Sequence, residues 1–315
     1  MTLLITGAGG YLGRALVAAA RARGHAVRAL TRGAPPAGWA GDSGIESWQA
    51  DLSEKVPQAA FAGIDALIHA AARMGGDDAD HGRETVAPTG PVLEAAARAG
   101  ARLVLVSSMA VPGTTGLAPM AVVDETTPPD PDPALRDAYA RAKLAQERIA
   151  REVAARHGAP LRIVRPGAIF GPGRVWNAHL GPTLGRLVIG PRHAGELPLC
   201  WRPHAAQALL LAAETPQAPG VEVIHALDDD RPDRARYLAA LGRPGLPLPW
   251  RALDLGAAAL APVAPRLPGL LRRPTLRARL MPLRYANARL HALGWRAEAG
   301  FEAAMAAALS GRDVA

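Results

Sequence analysis

Tyr139 and Lys143 stand four residues apart in the alanine- and arginine-rich run 135–157, which is interrupted only afterwards, by Gly158 and Pro160. On a helix that spacing sets both side chains on one face, a single turn apart. The chemistry open to such a pair is proton transfer. A phenol near pKa 10 is a poor general acid–base at neutral pH, and bringing it to about 7 requires roughly 4 kcal/mol of preference for the phenolate. An ammonium about 4 Å away, at an effective dielectric near 20, supplies roughly that amount. The chain has 36 lysines and arginines together, of which only Lys55 and Lys143 are lysines. Arginine is the default base here, so a lysine kept at 143 suits a task that needs a compact charge and not a guanidinium fork. With so few lysines and four tyrosines, the pair would arise by chance in about 3% of such sequences. A third group, Ser108, closes the run Val104, Leu105, Val106, Ser107, Ser108, where a hydroxyl could bond a substrate carbonyl or alcohol.

Near the N-terminus, Thr6, Gly7, Ala8, Gly9, Gly10, Tyr11, Leu12, Gly13 place glycines at 7, 10 and 13 between a strand-like run and a helical one. Such a turn lets backbone N–H groups approach a pyrophosphate at a helix N-terminus, so a dinucleotide is the expected ligand. An NAD-preferring site offers a carboxylate to the adenosine ribose about 20 residues further on. Here the first acidic residue is Asp42, while Arg28 and Arg32 flank the end of the second strand candidate. Arginine there suits a 2′-phosphate, which favours NADP(H) over NAD(H).

These groups must be held by a scaffold, and the hydrophobic pattern supplies one. Strand-like runs at 3–6, 26–30, 46–50, 66–70, 102–107 and 161–165 alternate with helical stretches at 11–23, 86–99 and 135–157. Repeated strand–helix crossovers imply an α/β fold, a Rossmann-type doubly wound parallel sheet that places ligands at the carboxyl ends of its strands. After Pro166 the alternation gives way to Gly- and Pro-rich stretches with short helices near 203–214 and 300–309. The expected division is a dinucleotide-binding domain at 1–166 and a smaller substrate-covering region at 167–315, some of whose segments return to the core. Trp176, Asn177, His179, Arg192 and Trp201 are candidates to line its pocket. An apolar pocket would fit a hydrophobic ketone, and a well-placed Arg192 a diphosphate.

Composition narrows the alternatives. Hydrophobic residues make up 49% of 315 positions, enough for a substantial core. One cysteine, Cys200, excludes a disulfide framework and a multi-cysteine zinc site, and no metal is expected. The strand-like run begins almost at Met1 with no cleavable apolar leader before it, so the cytoplasm is the expected location. The net charge of +8 is almost all arginine spread along the chain, without an aromatic RNA-binding motif or helix-turn-helix signature, which argues against nucleic acid. The apolar stretch 253–271 contains Asp254, Arg266 and prolines 262, 265 and 268. It cannot span a membrane as a continuous helix, although weak surface contact stays open.

Together these residues resemble the extended (atypical) short-chain dehydrogenase/reductase family, within the NAD-dependent epimerase/dehydratase superfamily. The resemblance covers nearly the whole chain: TGAGGYLG at 6–13, Asp51 and Leu52, HAAA at 69–72, SSMAVPG at 107–113, YARAK at 139–143, RPGAIFGPG at 165–173 and LGW at 293–295. It implies Tyr139 as general acid–base, Lys143 as the group that holds the nicotinamide ribose and lowers the tyrosine pKa, and Ser108 as the group orienting the reacting oxygen. It also implies cofactor contacts from Gly7, Gly10, Tyr11, Leu12, Arg32, Asp51, Leu52, Ala70, Ala71, Ala72, Pro166 and Ile169. Homodimerisation through the helix carrying Tyr139 follows by analogy. Three positions depart from the family pattern: Thr85 where asparagine opens the helix after the fourth strand, Pro112 where tyrosine is frequent, and His204 where aspartate is common. The first removes a contact associated with a proton relay or with positioning of that helix.

The resemblance and the residues lead to an NADP(H)-dependent oxidoreductase interconverting a carbonyl and a secondary alcohol. Val27 to Arg32 is similar to the flavonol reductase-like branch, and the C-terminal half to the hydroxysteroid dehydrogenase-like branch, both of which act on bulky apolar alcohols or ketones. A nucleotide-sugar epimerase or dehydratase is the alternative. A non-enzymatic NADP(H) redox sensor comes third, since a sensor needs no proton shuttle.

Overall fold

The computed structural model describes residues 1–191, 195–266 and 272–311. From the N-terminus come β1 (Thr2–Thr6), α1 (Tyr11–Ala22), β2 (Ala26–Thr31), β3 (Ile45–Gln49), β4 (Ala66–His69), α2 (Asp78–His81), a π-helical turn (Gly82–Val86), α3 (Ala87–Arg98) and β5 (Arg102–Val106). A long connection carrying the two-residue β6 (Val122–Val123) leads to α4 (Ala138–His157) and β7 (Pro160–Pro166). Beyond it lie β8 (Ala168–Phe170), β9 (Thr183–Leu184), β10 (Leu187–Pro191), β11 (Leu199–Trp201), α5 (Arg202–Glu214) and β12 (Gly220–Ala226). The remainder holds α6 (Arg234–Ala240), β13 (Gly245–Leu248), α7 (Trp250–Ala259), α8 (Arg273–Leu280), β14 (Arg284–Tyr285), α9 (Ala288–Ala292) and α10 (Phe301–Ser310).

Seven strands form one parallel sheet in the order β12-β7-β5-β4-β1-β2-β3, with Leu3 beside Val27 on one flank and Ala66 on the other. The chain leaves β1 in one direction through β2 and β3 and returns in the other through β4, β5 and β7. The point of reversal therefore lies between β1 and β4, where a doubly wound sheet opens a crevice at its carboxyl edge. Alternation along the strands sorts side chains into two layers. Leu3, Ile5, Ile68, Val104 and Val164 pack with α1 and α5, whereas Leu4, Leu67, Leu103, Leu105 and Ile163 pack with α3 and α4. This is the Rossmann-type architecture expected from the pattern.

Four differences have physical causes. The helix carrying Tyr139 begins at Ala138, not 135, because Asp137 caps it by accepting from the Ala140 N–H and Pro133 starts a separate short turn. A π-helical turn precedes α3. β12 was not foreseen, because it follows a stretch broken by Pro216, Pro219 and Gly220. The run 253–271 is divided between α7 and a 3₁₀ turn, its last residues lying outside the described ones, and no described helix is long and apolar enough to cross a membrane.

Candidate active site

A cleft of about 1110 Å³ lies at the carboxyl edge of the sheet over the point of reversal. Its floor at the middle is the glycine turn. Gly7 has φ +69°, and a Cβ there would meet the Ala71 backbone at 2.9 Å; a Cβ on Gly13 would come within 2.1 Å of the Gly7 carbonyl oxygen. Only glycine lets the turn, α1 and the β4 loop approach so closely. Gly10 starts α1 with no side-chain cap, so the first N–H groups of the helix are left for a ligand. An uncapped helix start behind a cradle that any Cβ would fill fits the pyrophosphate of a dinucleotide.

On the β2 side of that turn, Arg32 reaches from the end of β2 to Glu84 at 2.8 Å and keeps 67% of its side chain exposed. Glu84 also binds Arg73 and Arg83, and these three arginines pull its carboxyl down to about 2. Asp51 and Leu52 line the same side. Arg28 does not: its guanidinium bonds Glu46 and the Ala60 carbonyl on the side of the sheet, so of the two arginines flanking β2 only Arg32 reaches the cleft.

On the other side of the glycine turn, beyond β4, the cleft is walled by α4 and the connection after β5. That connection is fastened by a buried pair: Asp130 accepts from the Thr114 and Thr115 N–H groups and pairs with Arg136 at 2.6 Å, while Arg136 also donates to the Ala110 carbonyl. Ser108 is thereby set against Tyr139. Burial pushes the Tyr139 phenol above its ordinary pKa, against a hydrogen bond from Ser108 and the charges of Arg279 and Arg174 that favour the phenolate. The phenol is therefore protonated at neutral pH. The Lys143 ammonium lies 6.0 Å from the Tyr139 ring centre and donates to the Val106 carbonyl (2.8 Å) and to Gln146 Oε1 (2.9 Å). Burial lowers its pKa to about 8, opposed by Glu147. Glu147, one turn beyond, accepts from Ser107 at 2.6 Å and from both ends of the Arg165 fork at 2.8 Å, which fixes α4 to β5 and β7. In this geometry burial, with the Asp137 charge, raises the phenol, and Ser108, Arg279 and Arg174 oppose them.

All the cofactor and catalytic positions read from the sequence line this one cleft: Gly7, Gly10, Tyr11, Leu12, Arg32, Asp51, Leu52, Ala70 to Ala72, Ser108, Tyr139, Lys143, Pro166 and Ile169. Trp176, Asn177 and His179 line it too. Trp201 does not; it is 3% exposed in the core formed with Phe170, Tyr237 and Phe301. Arg192 lies outside the described residues. Residues that the sequence gave no means to find are His81, whose ring stands edge-on to Tyr139 at 6.1 Å, and Arg174 and Arg279, which also line the cleft. Arg279 contacts Asp137 at 3.3 Å and His179 at 3.4 Å. Arg174 stacks over the Tyr11 ring at 5.4 Å.

Two of the departures find a local explanation. His204 Nδ1 donates to Asp228 at 2.8 Å and its Nε2 accepts from the Glu298 N–H, so the histidine is a buried tie between α5, the end of β12 and the C-terminal segment. Pro112 bridges to Pro129 within the fastened connection, away from the cleft lining.

The model of the NAD dependent epimerase/dehydratase family matches residues 3–189. The chain belongs to that family. Among curated relatives of this family member, a 3-diazoavenalumate denitrifying reductase from Streptomyces is 32% identical over 85% of this chain and 88% of that protein. Cinnamoyl-CoA reductase 1 from Oryza sativa subsp. japonica is 32% identical over 53% of each chain. Among solved structures, MoeE5 in complex with UDP-glucuronic acid and NAD is similar at a TM-score of 0.73 and 22% identity, covering 99% of this chain and 98% of that one. The UDP-glucose 4-epimerase of Thermus thermophilus in complex with NAD gives 0.67 at 18% identity, with the same coverages. The family and its relatives make this chain an NAD-dependent type of enzyme in the extended short-chain dehydrogenase/reductase group, with oxidoreductase or epimerase chemistry.

Proposed function

We propose that this family member is an NADPH-preferring reductase that converts a carbonyl to a secondary alcohol, with Tyr139 as the proton donor. The observation that carries the reading is the protonated Tyr139 phenol, bonded to Ser108 and one turn from Lys143 in the cleft of the glycine turn. When bound, the nicotinamide supplies hydride to the carbonyl carbon. Ser108 orients the carbonyl oxygen, Tyr139 gives its proton to that oxygen as negative charge develops there, and the charges of Lys143, Arg174 and Arg279 stabilise the phenolate left behind. Lys143 holds the nicotinamide ribose, the uncapped start of α1 the pyrophosphate, and Arg32 the 2′-phosphate.

The reductases among the relatives favour this reading over epimerisation. The cleft also suggests what the substrate carries. Arg174 and Arg279 line it, so a carbonyl compound with a carboxylate or another strongly polar group fits better than a wholly apolar ketone. The same two arginines would suit a diphosphate. With the UDP-sugar epimerases among the structures of the same fold, they keep a nucleotide-sugar epimerase or dehydratase as the second reading.

Titration calorimetry with NADPH and NADH separates them, after mass spectrometry of the purified protein for retained cofactor. Reversible binding with NADPH preferred is expected, and Arg32→Ala should weaken NADPH about tenfold or more while leaving NADH unchanged, the loss of one charge-assisted contact. Tightly retained NAD and an Arg32→Ala variant without effect would overturn the cofactor assignment and bring the epimerase reading forward.

A further inference from the structure

We infer that Gln146 is the positioning residue of Lys143 in this chain, which carries Thr85 where the family pattern has asparagine. The inference rests on the proposed reduction only for its activity readout.

A lysine ammonium has three protons to place. Lys143 is 3% exposed, and two of its protons are committed, one to the Val106 carbonyl and one to Gln146 Oε1. The third is left for the cleft, and its direction follows from the other two. The orientation of Gln146 is not arbitrary. This fully buried amide donates through Nε2 to Thr89 Oγ1 at 2.8 Å and to the Thr85 carbonyl at 3.3 Å. Turned over, it would set an NH₂ against the ammonium and its oxygen against the Thr85 carbonyl, two repulsions in place of two bonds.

The network continues away from the lysine with one consistent set of donors. Thr89 Oγ1 donates to the Thr85 carbonyl at 2.7 Å and lies 3.5 Å from His69 Nε2. His69 Nδ1 meets Thr6 Oγ1 at 2.8 Å, and Thr6 Oγ1 accepts from the Ala71 N–H of the cofactor cleft at 3.3 Å. Burial, aided by Lys143, pushes His69 down to about 3, so it stays neutral, with one ring nitrogen a donor and the other an acceptor between Thr6 and Thr89. Lys143 is thus tied through β4 to the turn bordering the cofactor cleft. Thr85 is turned elsewhere: its hydroxyl accepts from the Arg73 N–H at 2.9 Å, and toward Gln146 it presents its carbonyl.

The groups facing Lys143 are Tyr139 and Glu147 on its own helix, His69 from β4, and Arg165 from β7 behind Glu147. Changing Gln146 alters none of them directly, which makes the lysine itself the reporter. With Lys55 as the only other lysine, ¹³C-lysine labelling gives two side-chain signals, assigned with Lys55→Arg, and an NMR titration reads Lys143 directly. A midpoint near about 8 is expected in the wild type. Gln146→Ala removes an acceptor of the ammonium and should lower that midpoint by about one unit, whereas Gln146→Glu should raise it by a similar amount. Thr85→Asn placed in the Gln146→Ala background should return it toward the wild-type value. In parallel, kcat for carbonyl reduction should fall about tenfold in Gln146→Ala, with the pH profile displaced the same way as the NMR midpoint and the substrate KM little changed. A midpoint unmoved in both single variants overturns the inference, as does a Thr85→Asn that restores neither midpoint nor rate. If Gln146→Ala does not fold, Gln146→Glu decides alone: no upward movement overturns it. A wild type without reductase activity defeats the proposed reaction, while the lysine titration still decides on Gln146.

Discussion

Lys143 is where one residue links stability to chemistry. The folded chain holds its ammonium in a buried site that lowers the pKa to about 8, against roughly 10.4 for an unhindered lysine. Between those two values the unfolded chain binds more protons than the folded one, so this lysine makes stability rise with pH across that window. Its destabilising effect is fully present below about 8 and gone near 10.4. Measured by urea denaturation, the difference in stability between the wild type and Lys143→Met should therefore shift in favour of the wild type by about 3 kcal/mol from pH 7 to pH 10.4. A flat difference would mean that the ammonium is solvated in the folded state. The same residue shows why part of the site was readable in the sequence. Tyr139 and Lys143 lie on one helix, so their spacing alone sets their geometry, and the scarcity of lysine marked the second of them. Ser108 followed from its place at a strand end. Gln146, Arg174, Arg279 and His81 were not readable, because what they touch is decided by loops and helices far apart in sequence: Arg279 meets Asp137 across 142 positions. Arg28 misled because strand alternation, not proximity to the strand end, decides which way a side chain points.

Among the elements, the turn from β1 into α1 carries the tightest constraint. A methyl on Gly13 would stand 2.1 Å from the Gly7 carbonyl oxygen and 2.7 Å from Ala8 Cα, both backbone atoms that cannot swing aside. Gly13→Ala should push the start of α1 off β1, cost about 1–3 kcal/mol as an overpacked contact does, and abolish measurable NADPH binding. Gly38→Ala, where an added Cβ meets nothing within 4 Å, is the control and should leave binding unchanged. Calorimetry on the two variants checks both statements, and a Gly13→Ala that binds normally would remove the turn from the cofactor site. The first six sheet strands were legible as β-branched or leucine runs, and α1, α3 and α4 as alanine-rich ones set off from them by a glycine, proline or polar break. Legibility failed where local signals compete. β12, at the opposite end of the sheet from β3, follows a proline-broken stretch, and the π-helical turn before α3 answers to packing around Thr85 and Thr89, not to any sequence period.

At the scale of the whole molecule, the two halves of the sequence are interleaved in one core. The face of the sheet bearing Leu3, Ile5 and Val104 is covered largely by Ala205, Ala208, Leu209 and Ala212 of α5, with Leu290 and Trp295 beside them. Arg162 on β7 is buried, and every partner of its guanidinium lies beyond residue 166: Glu222 and the carbonyls of Ala212, Thr215 and Pro216. A fragment ending at residue 166 would lose α5 and β12, expose that apolar face, and leave a guanidinium at the new edge without its acceptors. We therefore expect residues 1–166, despite containing the glycine turn, Ser108, Tyr139 and Lys143, to show no cooperative urea transition and to bind an apolar dye, whereas 1–311 unfolds in a single transition. Near-ultraviolet circular dichroism and dye binding on the two proteins check this. A fragment 1–166 with a sharp transition and fixed aromatic signals would show that the dinucleotide-binding half stabilises itself, and that the C-terminal half is an added cover and not a structural partner.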